Sequence, residues 1–228
     1  MDQRLAESLA QQFRISLEQV VREEYELLLL QKLLEGPAGH ALVLKGGTSL
    51  RLAYASPRFS DDLDFSLLVP LAEASFVDAA EATATAAPQL TLIEALSKQF
   101  TLFALYRIRE SYLPYAFSVK VEVSTWPEDW ERDEDYSLRL LTSPVTPIVV
   151  LAQVATLERL WRDKEAVLAD RRQPRDLYDL WYIAQRLRLP FAPDLSGFDR
   201  LALRRELRKY LPMSQWPVID QWSREVEG

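Results

Sequence analysis

Lys45-Gly46-Gly47-Thr48-Ser49-Leu50 is followed within a few residues by Arg58-Phe59-Ser60-Asp61-Asp62-Leu63-Asp64-Phe65. Glycines let a backbone approach a phosphate closely, and the amides at a helix start are ready anion donors. Gly46 and Gly47, with Thr48 and Ser49 at the head of a helix, therefore read as a phosphate cradle. Side chains alternate across a strand, so Asp62 and Asp64 share one face while Leu63 and Phe65 enter the core. Two carboxylates on one strand face seat hard divalent cations such as Mg²⁺. Asp61 falls on the other side, or in the turn, and is the weaker ligand. A phosphate cradle beside a metal seat is the equipment of phosphoryl or nucleotidyl transfer.

The segment Val119-Lys120-Val121-Glu122-Val123 repeats the alternation: its valines pack while Lys120 and Glu122 point together. Laid beside the first strand, it makes Glu122 a third carboxylate for the same cations; laid elsewhere, it is a solvated strand face. Two Mg²⁺ ions held by Asp62, Asp64 and Glu122 would align an attacking hydroxyl with the leaving pyrophosphate of a nucleoside triphosphate. No Gly-Lys-Ser/Thr follows the glycine pair at the Walker spacing. Thr48 and Ser49 suit a helix cap as well as a phosphate. Arg58 and Ser60, just before the metal strand, are placed to hold substrate phosphates, although Arg58 equally suits a surface loop.

Outward from this centre, residues 1 to 35 read as two helices. Ser16 and Gln19 resemble a capping box, and Val20, Val21, Leu27, Leu28 and Leu30 supply an apolar face. Gly36-Pro37-Ala38-Gly39 ends the second helix. A short strand from Ala41 leads into a helix from Gly46, then a strand over Leu63 to Val69 and a helix over Leu71 to Ala87. Phe100 to Arg109, Tyr115 to Ser124 and Ser137 to Thr142 are the next strands. From Ile148 onward the pattern is helical, with breaks near Pro174, Pro190 and Pro212. The expected organisation is an α/β part with N-terminal helices over residues 1–143 and a helical part over 144–228.

A chain of 228 residues, 48% hydrophobic and 27% charged, buries one good core or a main domain with a helical annex. No apolar run reaches the length of a membrane span, and Met1-Asp2-Gln3-Arg4 opens a polar helix rather than a signal peptide. A cytoplasmic protein is the expectation. Without cysteine there is no disulfide or thiolate zinc site, and His40 alone is too little for a histidine metal site. Net charge of −7 argues against a globally basic nucleic-acid coat but leaves room for a local basic surface. Arg200, Arg204, Arg205, Arg208 and Lys209 cluster at helical spacing, as either a grip on an RNA backbone or a solvated charged face. Trp126, Trp130, Trp216 and Trp222 either stack bases or cover a small core, the commoner use.

The pattern Lys45-Gly46-Gly47-Thr48-x-Leu50-Arg51, then Arg58-Phe59-Ser60-x-Asp62-Leu63-Asp64-Phe65, resembles the AbiEii-type nucleotidyltransferases, toxins of type IV toxin–antitoxin systems whose relatives include the MenT toxins. The similarity continues in Lys120-Val121-Glu122-Val123, in Asp163-Lys164 and in Arg175-Asp176-Leu177-Tyr178-Asp179-Leu180-Trp181, in the family's order. Asp163 and Asp61 replace a glutamate usual or common in the family, and both keep the charge. The resemblance implies an α+β fold: a polymerase-β-like nucleotidyltransferase domain with a mixed sheet, then a helical C-terminal domain closing one side of a cleft. It implies NTP and Mg²⁺ as reactants, a contact from Lys164 to the triphosphate, and an essential acidic role for Asp176. From the residues alone, Lys164 is one more charge on a charged helix, and Asp176 suits an ion pair with Arg172.

The MenT branch implies a tRNA 3′ end as acceptor, whose modification blocks aminoacylation, and a toxin–antitoxin setting implies a cognate antitoxin as partner. The same chemistry on a protein hydroxyl would make a protein adenylyltransferase. A fold kept without catalysis would be a nucleotide-binding interaction module; retention of the three carboxylates with Lys164 and Asp176 weighs against that reading.

Overall fold

A computed structural model describes residues 1–225 of the chain. Asp2 caps α1 (Gln3–Phe13) by accepting from the amides of Arg4 and Leu5, and Ser16 caps α2 (Leu17–Glu35) by accepting from the amide of Gln19. The expected capping box is half made, because the Gln19 side chain reaches across to Asp61 instead. The order continues with β1 (Leu42–Lys45), α3 (Gly46–Tyr54), β2 (Asp62–Leu67), α4 (Glu73–Ala86), β3 (Leu90–Lys98), β4 (Thr101–Ile108), β5 (Phe117–Ser124), β6 (Tyr136–Ser143) and β7 (Thr146–Ala155). Four helices follow: α5 (Leu157–Asp170), α6 (Pro174–Leu187), α7 (Arg200–Tyr210) and α8 (Trp216–Glu225).

The strands form one mixed sheet in the order β3-β4-β5-β2-β1-β7-β6. β2 runs antiparallel to β1 and parallel to β5, with Lys45 and Glu122 as the register partners of Asp64 on either side. The alternation read from the sequence holds along both inner strands: Leu63, Phe65, Val119, Val121 and Val123 are buried, while the residues between them are partly exposed. This is the α+β architecture expected, with the helical region after the sheet.

Residues 148–155, expected to be helical, form most of β7 instead, antiparallel to β6 and parallel to β1. The division expected at residue 143 therefore falls inside a hairpin, and continuous helix begins at Leu157. Val150, Ala152 and Val154 are buried, but Val149 and Leu151 between them are exposed and equally apolar. An exposed face built from Val and Leu erases the alternation that announces a strand. β3 likewise adds to the expected strands.

Two hydrophobic cores result. One lies against the sheet and takes in α2; the other gathers Leu177, Tyr178, Leu203, Leu207, Leu211, Ile219 and Trp222 among the last three helices. α6 belongs to both, giving Ile183 to the first and Leu177 and Tyr178 to the second. Trp222 packs edge-on to Trp181 inside the second core, with Trp216 at its margin. Trp130 lies under the Arg159 guanidinium, and Trp126 is exposed beside Phe100. Among the described residues no helix is long and apolar enough to cross a membrane.

Candidate active site

β1 passes into α3 through Gly46, whose φ of +72° belongs to the left-handed region that favours glycine. A Cβ there would collide with Asp64 Oδ2, and a Cβ on Gly47 would strike the Arg58 guanidinium. The turn therefore lies directly against β2. The Thr48 hydroxyl donates to the Asp62 carbonyl at 2.6 Å, and the Ser49 hydroxyl donates to the Gly46 carbonyl at 2.8 Å. Both residues are buried. The Thr48 hydroxyl holds the turn to β2 and the Ser49 hydroxyl closes back on the turn itself, so neither faces a phosphate as expected. Gly46 and Gly47 themselves line the cleft.

Parallel pairing of β2 with β5 places Asp64 beside Glu122 and Asp62 beside Lys120. Lys120 Nζ lies 3.0 Å from Asp62 Oδ2 and 3.5 Å from Glu122 Oε2. Burial and then the charge of Asp62, with Glu122 behind it, push the Asp64 carboxyl above its usual range, against the pull of Lys164 and Lys45. Asp61 is turned to other work. It accepts from Gln19 at 3.1 Å, from Lys209 at 2.9 Å and from the Tyr210 hydroxyl at 2.7 Å, tying α2 and α7 to the foot of β2.

The facing wall is helical. Lys164 on α5 places its ammonium 2.7 Å from Asp176 and 2.7 Å from Asp179, both buried on α6. Asp179 also receives the Arg58 fork, at 2.6 Å from Nε and 2.7 Å from Nη2. Burial would push the Asp179 carboxyl up, but Arg58 and Lys164 override it and hold the group below its usual range. The third Arg58 nitrogen donates to the Phe59 carbonyl. Arg58 is 3% exposed with its fork closed on Asp179, a buried staple between the approach to β2 and α6 that also lines the smaller cavity at the carboxylates. Asp179 is one of the residues that the sequence reading passed over, with Arg171 and Arg175. Its signal was available: it follows Asp176 by one helical turn and shares its face.

Two connected cavities meet at the carboxylates. One, of about 330 Å³, is lined by Gly46, Asp64, Phe65, Leu160, Lys164 and Val167, with Glu122 and Asp176 at the junction. The other, of about 140 Å³, is lined by Gly47, Ser60, Asp62, Lys120, Arg171 and Arg175, with the same junction residues. The fold thus gathers Gly46, Gly47, Arg58, Ser60, Asp62, Asp64, Glu122, Lys164 and Asp176 around one space and leaves the Thr48 and Ser49 hydroxyls outside it. Lys120, Arg171, Arg175 and Asp179 join the set.

Among the described residues no three His, Cys, Asp or Glu side chains form a ready-made metal seat. Lys120 stands between Asp62 and Glu122, where it balances their charge. The donor chemistry nevertheless fits a hard divalent cation: carboxylate oxygens from two neighbouring strands, where burial and then the charge of Asp62 raise Asp64.

A family model described as nucleotidyl transferase AbiEii toxin, type IV TA system, matches residues 28–224, a span that takes in the glycine turn, the carboxylates and the helical wall. Two solved structures from Helicobacter pylori are similar in fold. JHP933 is 21% identical, with 85% of this chain and 74% of that one covered and a TM-score of 0.55. A second, described as a "putative nucleotidyltransferase", is 19% identical, with 92% of this chain and 83% of that one covered and a TM-score of 0.54. No curated protein matches the chain.

Proposed function

The chain belongs to the AbiEii nucleotidyl transferase toxin family of type IV toxin–antitoxin systems, and from that premise we propose that it moves a nucleoside monophosphate from an NTP to the 3′ end of a tRNA in a Mg²⁺-dependent reaction. The observation that carries the chemistry is the cleft in which Asp62, Asp64 and Glu122 face Lys164 across the glycine turn. Likeness to the MenT branch supports the acceptor, and the product would be a tRNA closed to aminoacylation. A cognate antitoxin and a cytoplasmic setting complete the reading.

Asp62, Asp64 and Glu122 are the residues that would hold divalent cations, which when bound stabilise the attacking and leaving oxygens as Lewis acids. The Gly46 and Gly47 amides, at the start of α3, offer N–H groups to the phosphates. Lys164 sets a positive charge on the far wall, where charge develops on the departing pyrophosphate. Asp176 and Asp179 fix that ammonium at 2.7 Å each, so little reorganisation is needed as the charge appears. The attacking hydroxyl would lose its proton near Asp62, Asp64 and Glu122, where bound cations would favour the deprotonated form.

The test is incubation with labelled NTPs, total tRNA, cell protein and Mg²⁺, with and without chelator. Label in tRNA, lost with chelator and with Asp64→Ala, is the expected result. Label in protein instead would make the chain an adenylyltransferase, and label in neither would leave a nucleotide-binding module.

A further inference from the structure

The basic residues of α7 do not form one patch. Arg204 and Arg208 turn to α8, where both pair with Asp220 at 3.2 and 2.9 Å, and Arg208 lies over the Trp216 ring. Arg205 and Lys209 face the other way. With Arg172 and Arg175 at the start of α6 they line a groove of about 680 Å³ floored by Pro174 and Phe198. Arg205 is exposed and has no ion pair among the described residues. Lys209 is paired with Asp61 yet 56% exposed, and Arg175 approaches Glu206 only at 4.0 Å. The acids of the groove are Asp199 and Glu206, and Asp199 is occupied in capping α7. In a chain of net charge −7 this is a concentration of positive charge against the average.

The groove also has a destination. Arg175 and Tyr210 line both it and the smaller cavity at Asp62, Asp64 and Glu122, so the groove adjoins that cavity. The larger cavity beyond the carboxylates shares no residue with the groove and is walled by Phe65, Leu160 and Val167 near Lys164, which suits a nucleotide base and its phosphates. The carboxylates therefore stand between a half-apolar chamber and a basic channel.

We infer that the channel is the acceptor track: it holds the phosphodiester backbone of the RNA whose terminal hydroxyl reaches Asp62, Asp64 and Glu122. The inference rests on the proposed transfer to RNA. Guanidinium forks bind phosphate oxygens without reading sequence, which suits a strand gripped by its backbone and presented by its end.

Binding of a fluorescent single-stranded RNA, titrated against salt, tests the track, with a fluorescent NTP as the control ligand. Arg205→Glu should weaken RNA binding about tenfold, and Arg205→Gln should lower the salt slope by about 0.7, the value of one single-strand phosphate contact. NTP affinity and thermal unfolding should stay at wild-type values in both. Wild-type protein that labels RNA, with Arg205→Glu and Arg175→Gln leaving RNA affinity and slope unchanged, would overturn the track and leave the transfer reading standing. Wild-type protein that labels a protein acceptor, with labelling weakened by Arg205→Glu, would make the occupant an acidic polypeptide and overturn the RNA assignment. Wild-type protein with neither RNA binding nor RNA labelling would remove both readings together.

Discussion

A methyl group at Gly46 would need the place of Asp64 Oδ2 and a positive φ at the same time. Gly46→Ala is therefore expected to destabilise the fold by about 1–2 kcal/mol through the backbone alone. Displacing Asp64 should also slow transfer by at least about a hundredfold, since misplacement of about 1 Å has effects of that size. Denaturant titration beside single-turnover rates would show both; a wild-type rate in this variant would remove the turn from the site. Lys164→Ala takes the cation from two buried carboxylates and should destabilise by about 3–5 kcal/mol while raising the NTP requirement. Lys164→Arg should recover more stability than turnover, because a fork cannot replace a compact ammonium without moving the phosphates. Recovery of both to the same degree would count against a phosphate contact at that position. Asp62 and Asp64 were legible in the sequence because strand alternation is local. Arg58 was not, since its partner Asp179 lies 121 residues away and only the folded chain brings the two together.

Between elements, the Arg58–Asp179 pair joins the approach to β2 to α6 at 3% and 0% side-chain exposure. Removing Asp179 strands the Arg58 charge in the interior, at about 3–5 kcal/mol. Removing Arg58 leaves Asp179 with Lys164 as its one cation among the described residues, and removing both leaves Lys164 on Asp176 and no orphan. Arg58→Met and Asp179→Leu should each lower the unfolding temperature strongly, and the double variant should lose much less than their sum. Additive losses in that cycle would show that the two residues do not act as a pair. The helices of the first 35 residues were readable from caps and periodicity, and α6 from Pro174 at its start. β7 was not. Its outward Val149 and Leu151 offer no polar contrast to Val150 and Ala152, so the sequence around it lacks the pattern that separates strand from buried helix.

Across the whole molecule, two buried carboxyls pull the pH dependence of stability in opposite directions. Asp179 holds its proton less tightly folded than unfolded, so its contribution is present above about pH 3.9 and lost as pH falls through its lower folded value. Glu26, 1% exposed, is pushed well up by burial and then by Glu23, and one of its oxygens has no hydrogen-bond partner. Its contribution is full below about pH 4.3 and lost as pH rises through the raised folded value. Glu26→Gln should therefore flatten the alkaline side of the stability profile and leave the acid side unchanged, as read from urea midpoints over a pH series. A variant whose midpoint falls with rising pH as steeply as the wild type would assign that limb to another group.

The staple between Arg58 and Asp179 also sets a clock. Asp62 and Asp64 leave the ribosome early, but Lys164 is held in place only by carboxylates that arrive at Asp176 and Asp179. At about 5–20 residues per second, roughly 9–36 s of synthesis precede the last of these. Until then the emerging polypeptide has its carboxylates and no opposing wall. On the proposed reading, nucleotide transfer waits until α6 has been made and has docked against the carboxylates.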